Sequence, residues 1–124
     1  MTASHNSWPR PPAAVPHERL HIPPEGALVA VAGLVIVRQR PGTAKGVVFL
    51  TLEDETGIAN IVIWQAVFER YRRAVIAGRL LRVTGRVQRA SGVVHVVATR
   101  IEDISDLLDR LVTPEPPVSG SRQG

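Results

Sequence analysis

The sequence predicts an all-β domain: a five-stranded Greek-key barrel with one helix between strands 3 and 4, flanked by disordered ends. Three observations lead there. Aromatic residues are scarce, with two Trp, two Phe and one Tyr in 124 residues, so Val, Ile, Leu and Ala must build the core. Val dominates, and β-branched side chains favour strands. Five segments carry a strand pattern, and one segment with helical spacing falls between the third and the fourth. The length suits one domain.

Residues 27–37, ALVAVAGLVIV, form a nearly continuous apolar run. Its Val content and Gly33 predict a long bent strand rather than a buried helix. Residues 38–45, RQRPGTAK, follow as a basic turn centred on Pro41 and Gly42. Residues 46–53, GVVFLTLE, alternate: Val48, Leu50 and Leu52 share one face, and Phe49, Thr51 and Glu53 the other. Residues 54–57, DETG, make a tight turn. The third strand, residues 58–64, puts Ala59, Ile61 and Ile63 on one face and Asn60, Val62 and Trp64 on the other.

Residues 65–77 have helical spacing, with Val67, Phe68, Tyr71 and Val75 in one stripe and Glu69, Arg70, Arg72 and Arg73 pointing away. Gly78 suits the position just past the helix. Residues 79–89 alternate again. Leu81, Val83, Gly85 and Val87 face in, while Arg82, Thr84, Arg86 and Gln88 face out. A short turn at 90–92 leads to the fifth strand, residues 93–101. A closing helix over 102–111, capped by Ser105 or Asp103, ends the pattern.

The flanks differ in kind. Residues 1–26 are Pro-rich without a sustained period and read as a disordered arm, whose Trp8 and Arg10 suit either a partner or solvent. Residues 112–124 read as a disordered tail. The folded domain is therefore expected over 27–111.

Composition narrows the chemistry. Cysteine is absent, which excludes disulfides, thiol catalysis and Cys-ligated zinc. No phosphate-cradling Gly-rich loop, no HExxH and no Cys/His cluster is present, so neither a cofactor nor a metal site is expected. Glu53, Asp54 and Glu55 are the densest acidic group, and their place in a hairpin favours a turn over a cation site. His95 reads as a strand residue beside a polar neighbour. No apolar run approaches the roughly 20 residues of a membrane span, and no signal-peptide layout opens the chain. A cytoplasmic protein without a catalytic site is the expectation.

The net charge is +4, and Lys45 is the only lysine. Arginine suits phosphate and base contacts; a bias in genomic base composition gives the same preference.

The order strand, strand, strand, helix, strand, strand is that of an OB-fold, whose strand 2–3 face and flanking loops bind oligonucleotides or oligosaccharides. Phe49 lies on the outward face of strand 2, where such a ring can stack a base or be covered by an arm or the helix. Trp64 ends strand 3 and suits either stacking or closing the barrel against the helix. Arg38, Arg40 and Lys45 fall in the loop joining strands 1 and 2. Arg82, Arg86 and Arg89 form a second row along strand 4. Both rows are placed to hold phosphates.

The run VAGLVIVRQRPGTAKGVVFLTLEDETGIANIVIW, followed by FERYRR and GRVQRASGVVHVVA, resembles the C-terminal OB domain of bacterial error-prone DNA polymerases of the alpha-subunit type. The broader pattern F-x-x-L-x-D-x-x-G is shared with the anticodon-binding OB domains of class II aminoacyl-tRNA synthetases, where an aromatic at the place of Phe49 stacks on an anticodon base. The resemblance implies single-stranded DNA as ligand, translesion proteins as partners and a role in damage-tolerant replication and repair. Nothing in the sequence corresponds to the polymerase palm with its catalytic aspartates, so no catalysis is expected of this chain. A protein-docking domain and an anticodon-type RNA binder are the alternatives.

Overall fold

A computed structural model describes residues 14–40 and 46–108. Five strands close a barrel in the order β1-β2-β3-β5-β4. They are β1 Leu28–Gln39, β2 Val48–Asp54, β3 Gly57–Ile63, β4 Leu80–Ala90 and β5 Val93–Asp103. β3 and β5 are parallel, and every other neighbouring pair is antiparallel.

β1 serves both sides of the barrel. Its first half, Leu28 to Leu34, pairs with β4, and Leu34 to Gln39 pairs with β2. The hand-over falls at Gly33 and a bulge between Val35 and Val37. A Cβ on Gly33 would sit 2.7 Å from the Glu53 carbonyl oxygen, so the bend needs a residue without one. The bent strand read from the apolar run is thus what closes the barrel.

Alternation fills the interior as the sequence predicts. Val48, Leu50, Leu52, Ala59, Ile61 and Ile63 point inward, as do Leu81, Val83 and Val87. The helical segment is two short helices, α1 Gln65–Arg70 and α2 Arg72–Ala77. Tyr71 interrupts them with φ −117° and ψ 28°. Phe68 and Val75 still reach the core from the two pieces. Gly78 does follow the helix, but in extended rather than left-handed geometry (φ −68°, ψ 137°). The last turn is capped by a side chain instead: Arg38 donates to the carbonyls of Val75, at 2.7 Å, and Gly78.

The segment at 14–26, expected to belong to a disordered arm, packs on the barrel. Val15 donates to the Ala30 carbonyl at 2.8 Å, and a 3-10 turn follows at His17–Arg19. Val15 and Leu20 join the core. Isolated buried positions leave no periodic signature, so a Pro-rich strap of this kind reads as a linker. Residues 1–13 and 109–124, which hold the rest of that arm and the expected tail, lie outside the described residues. Of the closing helix only a turn at 106–108 is described. Ser105 does not serve it simply as a cap; its hydroxyl accepts from the backbone N–H of Arg79 and Leu80, tying the start of β4 to the end of β5.

Candidate nucleic-acid interface

Outward residues of β2 and β3 share one surface. Phe49 stands directly opposite Val62, and Trp64 lies two residues farther along that edge. Neighbours related in this diagonal way are about 7–8 Å apart. Phe49 is half-buried, and Trp64 is 55% exposed, so the indole does not close the barrel. Both rings border one cleft of about 510 Å³, completed by Val47, Val62, Gln88, Ala90 and His95. Val47 follows the β1–β2 loop, and Ala90 begins the β4–β5 turn. The cleft therefore runs across this surface from the residue before β2 to the end of β4. The β4–β5 turn is tight, with left-handed φ at Ser91 (53°) and Gly92 (77°).

The cationic side chains are arranged differently from the two phosphate-holding rows expected of them. Arg38 lies on β1 itself rather than in the loop, and it holds helix carbonyls. Arg40 lies over the Phe68 ring, its guanidinium carbon 4.8 Å from the centroid, and Arg72 covers the same ring at 5.2 Å. Arg82 stands 3.9 Å from Glu102. Arg86 donates to the Gly26 carbonyl at 3.0 Å. Arg89 donates to the carbonyls of His21 (2.8 Å) and Pro23 (2.7 Å) and pairs with Glu25 at 3.7 Å. Arg86 and Arg89 thus fasten the strap at 21–26 to β4. The partners lie 60 to 68 residues away along the chain, a distance no local pattern reports. Lys45 lies outside the described residues.

Of the acidic group at the β2–β3 turn, Asp54 is engaged within the fold, while Glu53 and Glu55 are exposed. Asp54 accepts from the backbone N–H groups of His17, Thr56 and Gly57 and from the Thr56 hydroxyl. Among the described residues no three His, Asp or Glu side chains are grouped to hold a metal ion. No described helix is long and apolar enough to cross a membrane.

Alternation placed Phe49, Val62, Trp64 and Gln88 on the outer surface. Alternation along one strand does not bring His95 to the cleft, because that depends on which strand neighbours β3. That neighbour is β5, five segments' order notwithstanding: Asn60 pairs with His95, and His95 with Gln88. Both flanking residues are polar, yet the imidazole makes no hydrogen bond to either.

Comparisons with known proteins agree with this geometry. The chain is 55% identical over 106 residues to an error-prone DNA polymerase of Ruegeria pomeroyi, a match covering 86% of this chain and 10% of that one. It is 59% identical over 97 residues to an error-prone DNA polymerase of Caulobacter vibrioides, covering 78% and 9%. The chain therefore spans about a tenth of the length of the curated relatives it matches. Among solved structures, asparaginyl-tRNA synthetase from Pyrococcus horikoshii complexed with asparaginyl-adenylate superposes with a TM-score of 0.62 at 28% identity, over 76% of this chain and 23% of that one. Residues 29–104, nearly the whole barrel, match the family described as the OB-fold nucleic acid binding domain, and on that match the chain belongs to that family.

Proposed function

We propose that this domain binds single-stranded DNA across the β2–β3 face and acts without catalysis of its own. On this reading it is a cytoplasmic module that serves damage-tolerant DNA replication and repair alongside other translesion proteins. The observation that carries the proposal is the single cleft on this face that Phe49 and Trp64 both border. Two rings bordering one cleft offer two stacking surfaces, suited to successive bases of a single strand, one on each ring. The high identity to error-prone DNA polymerases favours DNA as the ligand.

Phosphates in this arrangement lie along the loop margins. Lys45 and Arg40 serve the β1–β2 side. Arg38, Arg82, Arg86 and Arg89 keep further N–H donors beyond those already engaged, since a guanidinium carries five, and contribute secondarily. The likeness to an asparaginyl-tRNA synthetase, at 28% identity, supports RNA as a second reading.

Titration with labelled oligo-dT, duplex DNA and tRNA, at low and moderate salt, tests this. Oligo-dT should bind best and weaken with salt. Phe49→Ala should lower its affinity by about 5- to 150-fold, the equivalent of one stacked base at about 1–3 kcal/mol, with the melting temperature unchanged. A preference for tRNA moves the reading to RNA. No binding at low salt makes the face a protein-docking surface.

A further inference from the structure

We propose that Gln88 and His95 make this interface selective among bases; the inference rests on the strand-binding reading above. Stacking on Phe49 and Trp64 is tolerant of sequence, because every base offers a π-face. Selectivity needs hydrogen-bonding groups at the base edge. The cleft contains two such groups. Of its lining residues Val47, Phe49, Val62, Trp64 and Ala90 are apolar or aromatic, and Gln88 and His95 are the polar ones.

These two side chains differ from the arginines nearby in one respect. Arg86 and Arg89, on the same strand as Gln88, are engaged with backbone carbonyls of the strap. Neither the Gln88 amide nor the His95 imidazole makes a hydrogen bond to another described residue. Register places them side by side, Gln88 opposite His95 on neighbouring strands. His95 in turn lies opposite Asn60, two residues from Val62 along β3 and so on the diagonal from the Phe49–Val62 pair.

A base resting on the aromatic side thus turns its edge toward an amide and an imidazole with unused capacity. The amide offers both an acceptor and two donors. The ring offers one of each when neutral. Together they pair with a base edge that presents a donor beside an acceptor, and part of their capacity stays unmet at an edge that does not. A wrong base leaves these groups desolvated and unpaired, which is the physical source of discrimination. Gln88 is exposed and His95 half-buried, so neither is part of the packed interior.

The test uses the full chain with labelled dT, dC and dA oligonucleotides of one length at one salt concentration, for wild type, Gln88→Ala, His95→Ala and Phe49→Ala. The expected result is a preference of about tenfold or more for one homopolymer, in keeping with a good amide–base pair. Gln88→Ala and His95→Ala should reduce that preference while leaving the weaker ligands within about twofold of wild type. Phe49→Ala should weaken all three alike and keep their order. Equal binding of all three by the wild type, or an equal loss for all three in Gln88→Ala and His95→Ala, overturns the inference and leaves the strand-binding reading standing. No binding of any oligonucleotide overturns both.

Discussion

At the scale of single residues, Asp54 shows how one carboxylate joins two distant parts of the chain. Partial burial pushes its carboxyl up, but the hydrogen bonds from the Thr56 hydroxyl and from the backbone N–H groups of His17 and Thr56 outweigh that and hold it below the ordinary carboxylate range. Those bonds close the β2–β3 turn and hold the strap's 3-10 turn, where the His17 Nδ1–H also donates to the Gly57 carbonyl at 3.0 Å. A group whose folded pKa is depressed contributes stability that is present above its unfolded value and is lost as pH falls through the folded one. The domain should therefore lose stability in acid, below the normal carboxylate range, and Asp54→Asn should flatten that loss while lowering stability at neutral pH by about 1–3 kcal/mol. Chemical denaturation of both proteins between neutral pH and about pH 3 measures this; parallel pH profiles would exclude Asp54 as the linked group. The role of Asp54 as a turn former is legible from DETG alone. Its hold on His17 is not, because the two are 37 residues apart.

At the scale of elements, what can be read in advance is what repeats. A strand with one face in the core repeats every second residue, so β2, β3 and β4 and their inward sets follow from the sequence, and Phe49 and Trp64 follow as the outward aromatics. The strap does not repeat. Val15 and Leu20 are buried five residues apart among prolines, and nothing local marks them as core. The arginine contacts are invisible for a related reason: their acceptors are backbone carbonyls, which every residue has. The strap's contribution can be measured by truncation. A chain beginning at Ala27 loses the Val15 and Leu20 side chains from the core, the backbone bond to Ala30, and the acceptors of Arg86 and Arg89. Removing a buried aliphatic side chain costs about 2–5 kcal/mol. The truncated domain should accordingly melt well below the full chain or fail to fold. A melting temperature matching that of the full chain would show that the strap only decorates the barrel.

At the scale of the whole molecule, the placement of charge decides how binding should respond to salt. A net charge of +4 and a pI near 11 invite the expectation that six basic residues, Arg38, Arg40, Lys45, Arg82, Arg86 and Arg89, each neutralise a phosphate. For a single strand that expectation gives a slope of about −4 in log K against log salt, since each released counterion contributes about −0.7. The structure engages Arg38, Arg86 and Arg89 with backbone carbonyls and sets Arg82 beside Glu102. Their charge still raises the local potential, but their forks are already oriented toward the protein. Two direct phosphate contacts, from Arg40 and Lys45, then remain, and the slope should be about −1.4. Stacking and base-edge contacts, which release few counterions, would supply the rest of the affinity, so binding should persist at salt concentrations that dissociate a purely electrostatic complex. Measuring oligo-dT affinity across a tenfold range of salt decides between the two arrangements. A slope near −4 would mean that the strap gives up Arg86 and Arg89 when the strand binds. A shallow slope that is unchanged in Arg89→Ala would fix that arginine's role as the fastening of the strap.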